Sequence, residues 1–240
     1  MPLDRFGQPI GEPVFGFASP ALPPRTPMRG RYVDVEPLDL ERHVPSLFRA
    51  QADDREGRHW TYLAYEQPQS EAAYCEWLAG ISGGDDPLFH AIVDRASGDA
   101  VGLCTFLRIE PRNGAIEVGH INYSPRLSRT RGATEAMFLM MRRVFAELRY
   151  RRYEWKCDAL NAPSRRAAER LGFTFEGVFR QATVYKGRNR DTAWYSIIDR
   201  EWPALERAYT RWLDPANFDA DGRQIQSLGA LTAAALKSVS

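Results

Sequence analysis

Arg126-Leu-Ser-Arg-Thr-Arg-Gly-Ala-Thr134 sets three arginines around one glycine, directly after an alternating run that ends at Ser124-Pro125 and directly before an amphipathic stretch. A strand, a polar turn with a glycine and then a helix is the layout of a phosphate cradle. The first N–H groups of a helix have no intrahelical partner and carry the positive end of its dipole, and a glycine lets an anion approach the backbone. The same residues also read as a basic turn that only caps a helix. What lies on either side bears on the choice.

Downstream, Met137, Met140, Met141, Val144, Phe145 and Leu148 recur at three-and-four spacing, which predicts a helix from about Ala133 to Arg149 with one buried face. Tyr153 to Cys157 reads as a short strand. Asn161-Ala-Pro-Ser164 opens a second helix, and Gly172 closes it where a left-handed cap is favoured. Phe173 to Tyr185 and Thr192 to Asp199 make a hairpin across Lys186-Gly-Arg-Asn-Arg190. Upstream, Leu88 to Asp94, Ala100 to Ile109 and Ala115 to Tyr123 are three successive antiparallel strands, separated by turns at Gly98 and Gly114.

Earlier still, Arg31 to Val35 is a short first strand. Helices follow at Leu40 to Ala50, with Pro45 as a kink or late start, and at Ser70 to Ala79, burying Ala73, Tyr74, Trp77 and Leu78. Between them His59-Trp-Thr-Tyr-Leu-Ala-Tyr65 is an aromatic loop, either closing a core edge or walling a pocket. Seven prolines in the first 28 residues make 1–29 an extended arm over the domain. The domain itself runs 30–213, and 214–240 is an Ala/Ser-rich tail.

The 240 residues, 44% hydrophobic and 12% aromatic, suffice for a well-packed core. A net charge of +1 argues against nucleic-acid binding, so the arginines act locally. Cys75, Cys104 and Cys157 are odd in number and widely spaced, which suggests neither a disulfide framework nor a metal site. Asp4, Pro9, Glu12 and Pro13 stand where a signal peptide needs an apolar core, and no run reaches membrane-spanning length. The expectation is a cytoplasmic protein without membrane or metal; a homodimer stays open.

The order helix, helix, three antiparallel strands, loop, helix, strand, helix, hairpin resembles that of the GNAT acetyltransferases. Its local signatures are Ile116-Glu-Val-Gly-His120, Arg129-Thr-Arg-Gly-Ala-Thr134 followed by Glu135-Ala136, and Asn161-x-x-Ser164 with Leu171-Gly-Phe173. The likeness covers about Gly30 to Leu213 and is closest to the RimJ/RimL-type branch, whose members acetylate amino groups, including protein N-termini. Thr134 departs from the pattern, which has Gly or Ala there. The resemblance implies an α+β fold with a mixed, mostly antiparallel sheet flanked by helices. It also implies acetyl-CoA bound where the strands ending at Tyr123 and Cys157 splay apart, its pyrophosphate on Arg129, Arg131 and the backbone of Gly132, Ala133 and Thr134.

Each implied contact has a chemical reason. The pantetheine amides can pair with backbone at Ile121 and Tyr123. Asn161 offers a donor and an acceptor to the same arm, or caps its helix. An amine with a lysine-like pKa near 10.4 must lose a proton before attack, which needs a base. Glu117 is the candidate, or else it forms a structural ion pair. His120 is the rival, on the opposite face by strand alternation unless a bulge intervenes. Ser164 can donate a hydrogen bond to the departing thiolate, or is an ordinary first-turn serine. Backbone N–H groups of the third strand can polarise the thioester carbonyl. The acceptor is expected to be a primary amine, on a small molecule or a peptide N-terminus, entering beside Trp60 to Tyr65 and Lys186 to Arg190. A non-catalytic acyl-CoA-binding module and a transferase of longer acyl groups are the alternatives.

Overall fold

In chain order the protein forms β1 (Met28–Arg29), β2 (Val33–Pro37), α1 (Leu40–Gln51), α2 (Glu71–Ser82), β3 (Leu88–Asp94), β4 (Ala100–Glu110) and β5 (Ala115–Tyr123). Then follow α3 (Arg131–Arg142), β6 (Arg152–Asp158), α4 (Ala162–Arg170), β7 (Thr174–Tyr185), β8 (Arg188–Ile198), α5 (Trp202–Leu213) and α6 (Leu228–Lys237). The structure is a computed structural model that describes residues 1–239. The strands make one sheet in the order β1-β2-β3-β4-β5-β6-β8-β7. Only β5 and β6 run parallel; the other neighbours are antiparallel.

Alternation along the central strands sends apolar side chains to both faces. Phe89, Ala91, Val93 and Leu103 pack under α1 and α2 with Val44, Leu47, Tyr74 and Leu78. Leu88, Ile92, Cys104, Phe106, Ile116, Val118 and Tyr153 pack under α3 and α5. The first cluster takes nothing from β6, β7 or β8. That half of the sheet therefore stays open on the α1/α2 face.

Several expectations shift in detail. Asp39 caps α1 by accepting the Arg42 N–H, and the helix continues through Pro45. Ser70 caps α2, which buries Tyr74 and Leu78 and leaves Ala73 and Trp77 partly covered. α3 is buried on all sides from Gly132 to Met141, because it lies between the sheet and α5. It then widens into a π turn at Arg143–Glu147, so the single long helix predicted to Arg149 ends early. There Arg143 is buried, pairs with Glu147 at 2.6 Å and donates to Thr26 Oγ1. The hairpin loop is two residues, not five: Lys186 (φ 49°) and Gly187 (φ 67°) form a tight turn, with Asn189 and Arg190 already paired in β8. Both positive φ values match the primed turns that suit strand twist.

The chain ends are bound to the sheet layers. Tyr150 Oη donates to the Ala21 carbonyl, and Arg151 lies over the Phe17 ring. The buried Glu135 carboxylate of α3 accepts the backbone N–H groups of Arg31 (2.8 Å), Tyr32 (2.6 Å) and Val33 (3.0 Å), stapling the end of the arm to the domain. At the other end the Ala/Ser-rich segment after Leu213 forms α6 against α4 and α5, with Thr232 Oγ1 donating to the Arg170 carbonyl.

Candidate active site

β5 and β6 pair only from Ala115–Val118 to Arg152–Trp155; beyond that they part. A bulge lies beside the parting, since Leu103 faces Asn122 while Thr105 faces Gly119, so the β5 side carries one extra residue. His120 sits in it at φ 44°. Strand alternation turns the main-chain groups of Ile121 and Tyr123 to the open edge and those of Asn122 to β4. His59 Nδ1 bonds the Tyr123 carbonyl at 2.8 Å, so the Tyr123 N–H and the main-chain groups of Ile121 are the ones left for an incoming amide.

At the head of the cleft, Thr130 caps α3 through Oγ1, which accepts from Ala133 N at 3.1 Å. The N–H groups of Arg131 and Gly132 lie in the first turn, where a helix offers no partner. A Cβ on Gly132 would meet Val33 Cγ1 at 2.7 Å, so the missing side chain lets α3 seat on β2. Thr134 is buried, and its Oγ1 accepts both Nη atoms of Arg170 at 3.2 Å, tying α3 to α4. The three arginines of the stretch diverge. Arg126 pairs with Asp53 at 2.7 Å, Arg131 lies 3.6 Å over the Phe218 ring and donates to the Gly222 carbonyl, and Arg129 is exposed in a left-handed turn, φ 64°. A cavity of about 510 Å³ opens beside this loop, lined by Arg126, Thr130, Arg131 and Gly132 and, across from them, by Asp94 and Asp99.

The cleft has two sides. On the α4 side, Asn161 caps α4 by accepting the Ser164 N–H at 3.1 Å, which leaves its Nδ2 as a donor. Ser164 Oγ accepts from Trp155 Nε1 at 3.0 Å and lies beside the Cys157 thiol. Burial nevertheless pushes that thiol up, with the serine opposing. On the open side, Glu117 is 3% exposed, and its Oε2 accepts from Arg108 (2.6 Å) and Lys156 (2.8 Å). Oε1 points toward Gly119, 3.7 Å from the position of a Cβ there. Lys156 also pairs with Glu154 at 2.7 Å and lies 3.7 Å over the Trp194 ring, which stacks on the half-exposed Phe179.

The bulge overturns simple alternation for His120. Its ring packs at 5.1 Å from Phe89 and stacks at 6.0 Å on Tyr65, on the same face as Glu117. Burial, and then the charge of Arg108, lowers its pKa, so the imidazole is neutral at neutral pH. The aromatic loop divides its labour, with Trp60 in the core and Tyr65 beside His120. It also meets the β7–β8 turn. Lys186 Nζ donates to the Trp60 carbonyl at 2.9 Å and pairs with Glu66, while Tyr62 Oη donates to the Leu160 carbonyl at 3.1 Å. These bonds form an arch between the loop and the segments around β8 and α4.

Sequence reasoning passed over Arg108, Lys156 and Trp194, and placed His59 in the aromatic loop without its bond to Tyr123. Lys156 carried a usable signal: it is one of three lysines among 32 basic residues, on the strand beside Glu117. His59 carried none, because its partner is a carbonyl 64 residues away.

Comparison with known proteins agrees with this layout. Residues 34–174 match the family model "Acetyltransferase (GNAT) domain". The crystal structure of a GCN5-related N-acetyltransferase from Brucella melitensis is 48% identical and superposes with a TM-score of 0.89, covering 92% of this chain and all of that one. "Putative ribosomal N-acetyltransferase YdaF" of Bacillus subtilis (strain 168) is 27% identical over 70% of this chain and 90% of its own length. "Uncharacterized N-acetyltransferase p20" of Bacillus licheniformis is 29% identical over 47% of this chain, and the match spans 62% of that protein. The fold thus finds its counterpart in a solved relative, and the chain belongs to the GNAT acetyltransferase family.

Proposed function

We propose that the protein transfers the acetyl group of acetyl-CoA to a primary amine, on a peptide N-terminus or a small molecule, by direct attack in the cleft between β5 and β6. The observation that carries this reading is the two-sided cleft: free main chain at Ile121, Asn161 and Ser164 on one side, and Glu117 on the other. The cosubstrate would lie along Ile121 with its phosphates at the first turn of α3, held by backbone N–H groups and Arg129. The amine nitrogen attacks the thioester carbon, its proton passes to Glu117 directly or through a water, and the C–S bond breaks to release CoA. The Ser164 hydroxyl stands ready to donate to the sulfur. YdaF is named a ribosomal N-acetyltransferase, which favours the RimJ/RimL-type branch, a peptide amine and a cytoplasmic setting.

The cosubstrate is tested by thermal shift, because a ligand that binds only the native state raises its stability. Acetyl-CoA raises the melting temperature, and adenosine alone does so much less. Arg129→Ala weakens the shift more at low salt than at high salt, as befits an exposed cation. Arg131→Ala instead lowers the melting temperature of the free protein, since its guanidinium packs on Phe218. No shift at millimolar acetyl-CoA would remove the reading. Release of CoA against a panel of amino acids, polyamines, aminoglycosides and N-terminal peptides then selects the acceptor.

His120 gives a second reading of the base, because the bulge brings its neutral imidazole to the Glu117 face. Loss of activity in His120→Ala with Glu117→Gln near wild type would select it.

A further inference from the structure

We propose that Lys156 is a positioning residue of the acetyl transfer: its ammonium, fixed between Glu117 and Glu154 over the Trp194 ring, holds the Glu117 carboxylate aimed at the parting of β5 and β6. The inference rests on Glu117 being the base and adds the group that sets its direction.

Lys156 is the first residue of β6 beyond the last pair with β5, Val118 to Trp155, so it stands at the fork of the cleft. Its side chain is only 6% exposed. A buried ammonium is costly unless paired on several sides, and here two carboxylates and an indole face surround it. It is also a lysine in a chain that otherwise uses arginine almost everywhere. A compact ammonium can bridge two carboxylates while resting over the ring; a planar guanidinium presents a wider fork. The bond to Lys156 engages Glu117 Oε2, and Arg108 binds the same atom. Oε1 remains on the side of Gly119. One oxygen is thus anchored and the other is presented.

The charges that bear on Glu117 come from three strands. Arg108 acts from β4, and Lys156 and Glu154 from β6, with Arg152 and Glu176 paired beyond them. His120 is the remaining titratable group of β5 on that face, and the Tyr153 hydroxyl feels the Glu117 charge through the sheet.

The test compares Lys156→Met with Lys156→Arg in full-length protein, using acetyl-CoA and the fastest amine of the panel. In Lys156→Met kcat is expected to fall by about 10-fold, with the KM for acetyl-CoA and the acetyl-CoA thermal shift unchanged. Lys156→Arg, keeping the charge, should recover part of kcat. A crystal structure of Lys156→Met gives a readout without acceptor: the Glu117 carboxylate should turn from Gly119 toward Arg108. An unmoved carboxylate and an unchanged kcat, whatever the melting temperature, would overturn the proposal. A fully active Glu117→Gln would instead remove the base, and Lys156 with it. An inactive Glu117→Gln beside a fully active Lys156→Met would remove the role of Lys156 alone.

Discussion

Glu117→Gln is expected to lower turnover by about 10²-fold or more while leaving acetyl-CoA affinity nearly unchanged, the range for losing one positioned proton acceptor. The amide keeps the size of the side chain but cannot take the amine's proton. It also leaves Lys156 with Glu154 as its remaining carboxylate, so the melting temperature should be measured in parallel. The acetyl-CoA thermal shift separates chemistry from binding. A rate near wild type across neutral pH would pass the role of base to His120 or to water.

Glu135→Ala should cause the largest loss of stability, about 3 kcal/mol and so roughly 6–12 °C in melting temperature for a chain of this size. Its carboxylate satisfies three consecutive N–H groups at the entrance to β2, and alanine leaves all three without an acceptor. Water cannot simply replace it, because Glu135 and Val33 are both buried. Glu135→Gln should fall between the two, since an amide oxygen still accepts but carries no charge. A melting curve of Glu135→Ala that overlays wild type would show that the arm is held by other contacts.

The order of strands and helices was legible because it rests on local pattern. Leu88–Asp94 is a mostly apolar run and Ile116 to Val118 alternates, and Asn161 and Ser70 announce their helices by capping chemistry. The site was less so, because its decisive features are made by contacts far apart in sequence. No local pattern in Gly119-His-Ile121 reveals the bulge, which exists only in the pairing of β5 with β4. Arg131 reads as a phosphate ligand, and its stacking on Phe218, more than eighty residues on, has no local signal. Glu117 admitted both a catalytic and an ion-paired reading, and its two oxygens divide between them. Its anchored atom is structural, and the presented one is available for the role proposed here.

The arch over the cleft bears on the order of events in a catalytic cycle. With Lys186 bound to Trp60 and Tyr62 to Leu160, the aromatic loop is tied to the β7–β8 turn and to the segment before α4. Under the proposed function the cosubstrate comes from the α3 side and the amine from the side of this arch, so neither need wait for the other to leave. Initial-rate plots should therefore intersect, the sign of a ternary complex, rather than run parallel as for an acetylated enzyme. A bulky acceptor entering on that side would have to lift these few hydrogen bonds, so their opening is expected to limit turnover for large substrates and not for slender ones.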